Sequence, residues 1–222
     1  MYKDIKYDLL IPPHGLDYYH MTKDEAKEDF EWFIEHIPER MDYFRARCAS
    51  DLRVSQSVLD YSPDSLVPVW KWFLKTARMV PTPKEELERM REGAKIFGDS
   101  YVNEKVFSVS TVFIMRDIGM YVGETYIRNY SPLYWSYFTA PKSNVSARKP
   151  IIAGFWAWVE GYRSTPAYID PIDMVEGAAS RFYRNSQHEV DLYNRFSSWI
   201  KYIPHCDNHN KTIPWKRKGQ WQ

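Results

Sequence analysis

The segment that most constrains the fold is an apolar stretch in the second half of the chain that also carries charges and two glycines. It contains Gly119-Met-Tyr-Val-Gly-Glu124 and predicts a central helix over residues 110–129, with Ser108 or Ser110 at its start. A helix this apolar is normally buried on one side, so its charged side chains are either paired or functional. Gly119 and Gly123 lie one turn apart and predict that another element approaches the helix backbone closely.

Four polar or aromatic residues of this helix follow a 4-3-4 spacing and share one face: Asp117, Tyr121, Glu124 and Arg128. Glu124 and Arg128 have the orientation that favours an ion pair between residues i and i+4. Two carboxylates on one face can hold a metal or act as acid and base, but no metal-ligand motif accompanies them. A structural network that includes Arg116 is the favoured interpretation, and Trp135 completes the set of candidate binding residues.

Several helix start signals surround the central helix. Thr22 and Glu25 form a capping box at the start of the first helix, whose predicted apolar stripe is Phe30, Ile34, Ile37, Met41, Phe44 and Cys48. Pro38 predicts a kink or two abutting helices there. Further starts are predicted at Ser62-Pro63, Thr82-Pro83, Asp170-Pro171 and Ser186, and Gly98 is a predicted stop.

Two aromatic or β-branched stretches predict strands on either side of a polar loop, at residues 134–139 and 151–156. Together these elements predict a mainly helical α+β fold, with amphipathic helices packed around a small antiparallel hairpin or sheet at about residues 133–157. Because there is no repeat or linker, residues 1–222 are expected to form a single domain. An extended arm (1–20) and a basic polar tail (204–222) flank it.

Composition excludes several classes of function. The formal net charge of +1 is unlike the basic excess of a dedicated nucleic-acid binder. The chain contains no apolar run of the roughly 18 residues that cross a membrane. Two cysteines without a CxxC motif fit a reducing compartment, so a cytoplasmic location is expected.

Other chemically capable residues favour structural roles. His205, Cys206 and His209 are metal-ligand types, but they lack a fourth ligand and a standard spacing, so neither a metal nor a cofactor is expected. Cys48 ends an apolar stripe and is predicted to be a core residue. Two surfaces can meet a charged partner: a basic loop (Pro141–Asn144 with Arg148 and Lys149) and the acidic face of the first helix.

The pattern Gly119-x-Tyr121-x-Gly123-Glu124, followed by Trp135, two strands and the helix that Asp170-Pro171 opens, resembles one found in bacterial proteins of uncharacterised function. Some of those resemble small immunity or defence-associated proteins. The resemblance covers residues 110–203 and implies structural roles for the glycines and the glutamate, with no catalytic set.

The sequence therefore predicts a non-enzymatic protein that acts by contact with a partner protein, in its most specific form an immunity-like or defence-related inhibitor. The alternative is an enzyme or ligand-binding domain with a pocket on the central helix, lined by Asp117, Tyr121 and Glu124. The apolar stripe of the first helix suits a dimer interface as well as a core, so the sequence does not decide whether the chain forms a homodimer.

Overall fold

The computed structural model describes residues 5–98, 102–157 and 165–204. Its α-helices are α1 (Lys23–Leu52), α2 (Leu66–Thr76), α3 (Lys84–Phe97), α4 (Val109–Asn129), α5 (Pro171–Ala179) and α6 (Asp191–Ile200). Its strands are β1 (Met79–Pro81), β2 (Lys105–Phe107), β3 (Tyr134–Ser136), β4 (Ile151–Ala157) and β5 (Thr165–Ile169). Short 3-10 turns occupy Gln56–Val58, Pro63–Ser65 and Ser180–Arg184. The fold is α+β and mainly α, as predicted.

Helix α4 is the centre of the molecule. It packs against α1, α2, α5 and β3, and its buried residues lie on nearly every face of the helix. A helix enclosed in this way must place every polar side chain against a protein partner. Its start agrees with the prediction, because the Ser108 side chain accepts a hydrogen bond from the Thr111 backbone.

The strands form two small antiparallel sheets. β3, β4 and β5 make the larger one in that order, so the predicted pair of strands is present and β5 adds a third. β1 pairs with β2 in a separate two-stranded sheet that the sequence pattern did not predict. Strands of three residues carry too little alternation to stand out from loops.

Helix α1 confirms the capping box of Thr22 and Glu25 but corrects its apolar stripe. Phe33, rather than Phe30 and Ile34, faces the core: Phe33 is 3 % exposed and Ile34 is 37 % exposed. Phe30 is half-buried and stacks on Tyr137. The helix is also continuous, so of the two outcomes predicted at Pro38 the abutting helices are wrong and the kink stays a prediction.

The last helix begins later than the sequence indicated. The predicted capping box at Ser186 does not form, and α6 starts at Asp191. The Asp191 carboxylate accepts a hydrogen bond from the His188 backbone, while Glu189 forms an ion pair with Lys71 at 2.8 Å. Lys71 is on α2, outside the local window from which a capping box is inferred, whereas the His188–Asp191 bond has the local spacing but lies two residues beyond the predicted box. The tail prediction, including His205, Cys206 and His209, lies outside the described residues.

The segment before α1, residues 5–21, has no helix or strand but lies against the core. Tyr7 is buried, and Ile5, Leu9 and Leu10 pack on the main apolar cluster. We call residues 5–21 the arm. None of the described helices is long and apolar enough to cross a lipid bilayer.

Candidate interaction site

Asp117, the first of the predicted site residues, lies in a buried ion pair. The Arg40 guanidinium of α1 donates to its two oxygens at 2.9 Å (Nε to Oδ1) and 2.7 Å (Nη2 to Oδ2), and both side chains are only 4 % exposed. The Tyr7 hydroxyl donates a further, short hydrogen bond to the same carboxylate. Burial raises the pKa of Asp117, and the hydrogen bonds from Arg40 and Tyr7 oppose that rise. This cluster joins the arm, α1 and α4.

Tyr121 is buried on α4 with its hydroxyl fully engaged. The hydroxyl lies 2.6 Å from Ser65 Oγ and accepts a hydrogen bond from the Tyr61 backbone at 3.0 Å. The Tyr121 ring stacks on the Tyr61 ring with centroids 4.7 Å apart. Burial raises the pKa of Tyr121 to about 12, so the phenol stays protonated at neutral pH. Its position indicates a packing role.

Glu124, Arg128 and Trp135 form a second polar group at the other end of α4. Glu124 Oε2 accepts from Arg128 at 3.0 Å, which confirms the predicted i,i+4 pair, and Trp135 donates its indole N–H to Glu124 Oε1 at 3.0 Å. The Arg128 guanidinium carbon lies 3.8 Å from the Tyr61 ring centroid. The Trp135 ring covers Gly123 so closely that a Cβ would overlap it. The predicted close approach therefore occurs.

The five predicted residues do not form one open site. Trp135, Glu124 and Arg128 lie together, and Tyr121 reaches them through Tyr61, whereas Asp117 faces the arm and α1. The favoured single network of Asp117, Glu124, Arg116 and Arg128 is thus divided between different partners. Sequence spacing on a helix indicates which residues are close to one another, but the neighbouring elements decide where each side chain is bound.

We expect substitutions at Glu124 to separate its two contacts. Glu124→Gln keeps an oxygen for the Trp135 N–H and loses only the ion pair to the half-exposed Arg128, so the free energy of unfolding should fall by less than about 1 kcal/mol. Glu124→Leu leaves the Trp135 N–H unpaired and should cost about 1–3 kcal/mol. Urea denaturation, monitored by tryptophan fluorescence, measures the loss of stability in both variants. Equal losses for the two variants would contradict the assignment.

A groove lies between the arm and the loop that joins β3 to β4, which is the basic loop of the sequence analysis. It has a volume of about 300 Å³, and we define it by residues 16–19 on one wall and 142–149 on the other. Three exposed apolar side chains line it: Leu16 (37 %), Tyr19 (70 %) and Val145 (80 %). Exposed apolar side chains that meet at one concavity are typical of a surface that binds another molecule.

Arg148 lines the groove. The sequence predicted it as part of a basic loop that can meet a charged partner, but in the structure its side chain is buried. It is 1 % exposed, its backbone has a φ of 68°, and its Nη1 donates to the carbonyls of Tyr18 (3.3 Å) and Tyr19 (3.1 Å). Its Nε and Nη2 are buried without a hydrogen-bond partner. Its neighbour Lys149 is directed to Asp170, with 3.4 Å between Nζ and Oδ2. The loop therefore turns two of its cations inward.

A narrow crevice continues from Arg148 into the protein, between the arm, α1 and α4. It shares Tyr18 and Arg148 with the groove and is also lined by Asp29 and Arg116. Asp29 accepts from the His14 backbone at 3.1 Å through Oδ1, but its buried Oδ2 has no hydrogen-bond partner. Burial raises the pKa of Asp29. Two arginines thus face one carboxylate.

The acidic face of α1 is less available than the sequence suggested. Asp29 is buried, Glu25 completes the capping box, and Glu28 lies 2.8 Å from the His14 ring. Glu31 lies 3.7 Å from Lys27 and Glu35 is exposed. Intramolecular contacts therefore engage several of the acidic side chains that could have met a basic partner.

Sequence reasoning missed the residues of the groove and its crevice, namely Tyr18, Tyr19, Asp29, Arg116, Val145 and Arg148 as a group. They belong to four segments that no periodicity connects, and Arg148 bonds to residues 129 and 130 positions earlier. The one available signal was the density of aromatic and apolar residues around Gly15 in a segment without helix or strand character.

Within the described residues, no group of three or more His, Cys, Asp or Glu side chains is placed to hold a metal ion. Comparison with models of known protein families found no match for this chain, and comparisons with curated proteins and with solved structures found none either.

Proposed function

We propose that this chain is a non-enzymatic protein that binds a partner protein at the groove between residues 16–19 and 142–149. The observation that carries the proposal is the combination of exposed Tyr19 and Val145 with the buried, incompletely hydrogen-bonded Arg148 in one concavity. Aromatic and arginine side chains that meet in this way are typical of the energetically dominant residues of protein interfaces. In its most specific form, the protein is an immunity-like inhibitor that acts in the cytoplasm.

The alternative, an enzyme or ligand-binding domain on α4, has less support. Arg40 and Tyr7 occupy the Asp117 carboxylate, and the Tyr121 hydroxyl is bound to Ser65 and to the Tyr61 backbone. A substrate would have to displace these buried partners before it reached either group, at a cost of several kcal/mol. The groove needs no comparable rearrangement for a partner to contact Tyr19 and Val145.

The test is quantitative affinity capture from the native cells with three forms of the tagged chain. Val145→Asp places a charge in the groove, and Ile96→Asp places the same charge on α3 at a side chain of matched exposure (80 % and 79 %). We expect one stoichiometric protein to be recovered with the wild type and with Ile96→Asp, and to fall at least about tenfold with Val145→Asp. Equal recovery with all three forms would overturn the groove as the binding surface.

A further inference from the structure

Arg148 is a cation whose charge the surrounding protein does not fully compensate. Its Nη1 donates to two backbone carbonyls, and no carboxylate lies within 4 Å of its guanidinium among the described residues. A buried charge without a partner is strongly unfavourable, because water no longer solvates it. Binding of an anion beside the Arg148 guanidinium therefore stabilises the protein.

The charges around Arg148 have the same sign on balance. Arg116 and one acid, Asp29, line the crevice behind it; Lys142 and one acid, Asp17, which is paired with His20, line the groove in front. Lys149 is already paired with Asp170. Because low-dielectric walls strengthen each interaction, this arrangement attracts a negative group toward the end of the groove nearest Arg148.

The free hydrogen-bond donors of Arg148 suit a planar acceptor. Nε and Nη2 are the two adjacent N–H groups on one edge of a guanidinium, and this edge binds the two oxygens of a carboxylate side by side. These atoms are shielded from water, so a ligand reaches them only when a neighbouring part of the groove wall moves. One wall is the arm, which has no helix or strand and is held to Arg148 by hydrogen bonds of 3.1 and 3.3 Å.

We infer that the groove recognises an acidic side chain within an apolar segment of the partner protein, with the carboxylate seated on Nε and Nη2 of Arg148 and apolar neighbours on Tyr19 and Val145. This inference deepens the proposed function and rests on it. Charge complementarity selects the acidic residue, and the exposed apolar walls supply the contact area beside it.

The experiment uses the whole chain and two libraries of N-acetylated, C-amidated heptapeptides, with Glu or Gln fixed at the central position and the rest varied among residues other than Asp and Glu. Neither terminus is charged, so any carboxylate is a side chain. We expect peptides from the Glu library to bind. Replacement of their central Glu by Gln should raise the dissociation constant at least about tenfold. A third library with free C-termini and central Gln tests the terminal carboxylate as the alternative source.

Arg148→Gln should remove the preference for Glu over Gln, and Val145→Ser should weaken both classes of peptide equally. Because Arg148→Gln also removes bonds to the arm, a second readout uses the wild type alone. The ¹⁵N-edited NMR signal of Arg148 Nε–H should shift downfield on addition of a Glu peptide and stay in place with its Gln counterpart. Binders that ignore the charge, binders only from the free C-terminal library, or no binders at all would each overturn the inference.

The outcomes also separate this inference from the proposed function. If Val145→Asp abolishes capture of the cellular partner while Glu and Gln peptides bind equally, the groove is a protein-binding surface without carboxylate recognition. If capture is insensitive to Val145→Asp, the proposed function fails, and the inference that rests on it fails too.

Discussion

Replacement of Arg40 by methionine is expected to lower the free energy of unfolding by about 3–5 kcal/mol, the largest effect of any single substitution considered for this chain. The variant leaves the Asp117 carboxylate buried at the centre of the molecule with only the Tyr7 hydroxyl as a donor. It also removes the Arg40 bond to the Asp8 carbonyl, which holds the arm. Chemical denaturation with circular dichroism gives the loss directly.

Arg47→Met is the matched control, because Arg47 lies on the same helix and pairs with Asp51 at 2.9 Å, with both side chains about one-third exposed. That substitution should cost less than about 1 kcal/mol. The double variant Arg40→Met/Asp117→Leu removes both buried charges and should recover most of the loss. If the Arg40 and Arg47 variants lost equal stability, the buried pair would not be the junction that we describe.

The second large effect is expected at Gly119. A Cβ at this position would lie 2.8 Å from the Ile172 side chain and 2.9 Å from its Cα, so α5 must move for Gly119→Ala to be accommodated. Backbone cannot rotate aside as a side chain can, and overpacking of this kind costs about 1–3 kcal/mol. This loss should outweigh the gain of about 1 kcal/mol that alanine brings to a helix. Thermal and urea denaturation measure the net change.

Gly177→Ala on α5 provides the comparison. There the added Cβ meets the end of the Arg195 side chain, which is exposed and can move, so the helix propensity of alanine should dominate. We expect this variant to be neutral or slightly more stable than the wild type. A loss at Gly177 as large as that at Gly119 would show that helix packing against α4 is not what requires the glycine.

The sequence correctly predicted helix starts whose hydrogen-bond partners lie within a few residues. The cap at Ser108, the capping box at Thr22 and the start at Asp170-Pro171 all involve partners within a few residues, so the pattern contains the whole interaction. At the predicted start at Ser186 the capping box is absent: Glu189 pairs with Lys71 of α2, and the helix begins at Asp191. The sequence pattern contains no signal for the contact with Lys71.

The candidate site shows the same limit more strongly. The ion pair of Glu124 and Arg128 follows from helical spacing and was predicted, but the partner of Asp117 is on α1 and the partners of Arg148 are on the arm. One sequence contains no signal that links positions so far apart. The sequence therefore predicted that Asp117 and Tyr121 are open to a ligand on α4. In the structure, tertiary contacts already engage both side chains.

The arm also has a consequence for the order in which the chain is made. Its bonds to Arg40 and Arg47 of α1 span 32 and 41 residues, but its bonds to Asp117 and Arg148 span 110 to 130, so the last two partners leave the ribosome long after the arm. Until the core is complete, Leu9 and Leu10, which pack on its main apolar cluster, remain uncovered. The arm thus completes its docking only after α4 and the loop after β3 have been made, and general chaperones that bind apolar segments can act on it until then.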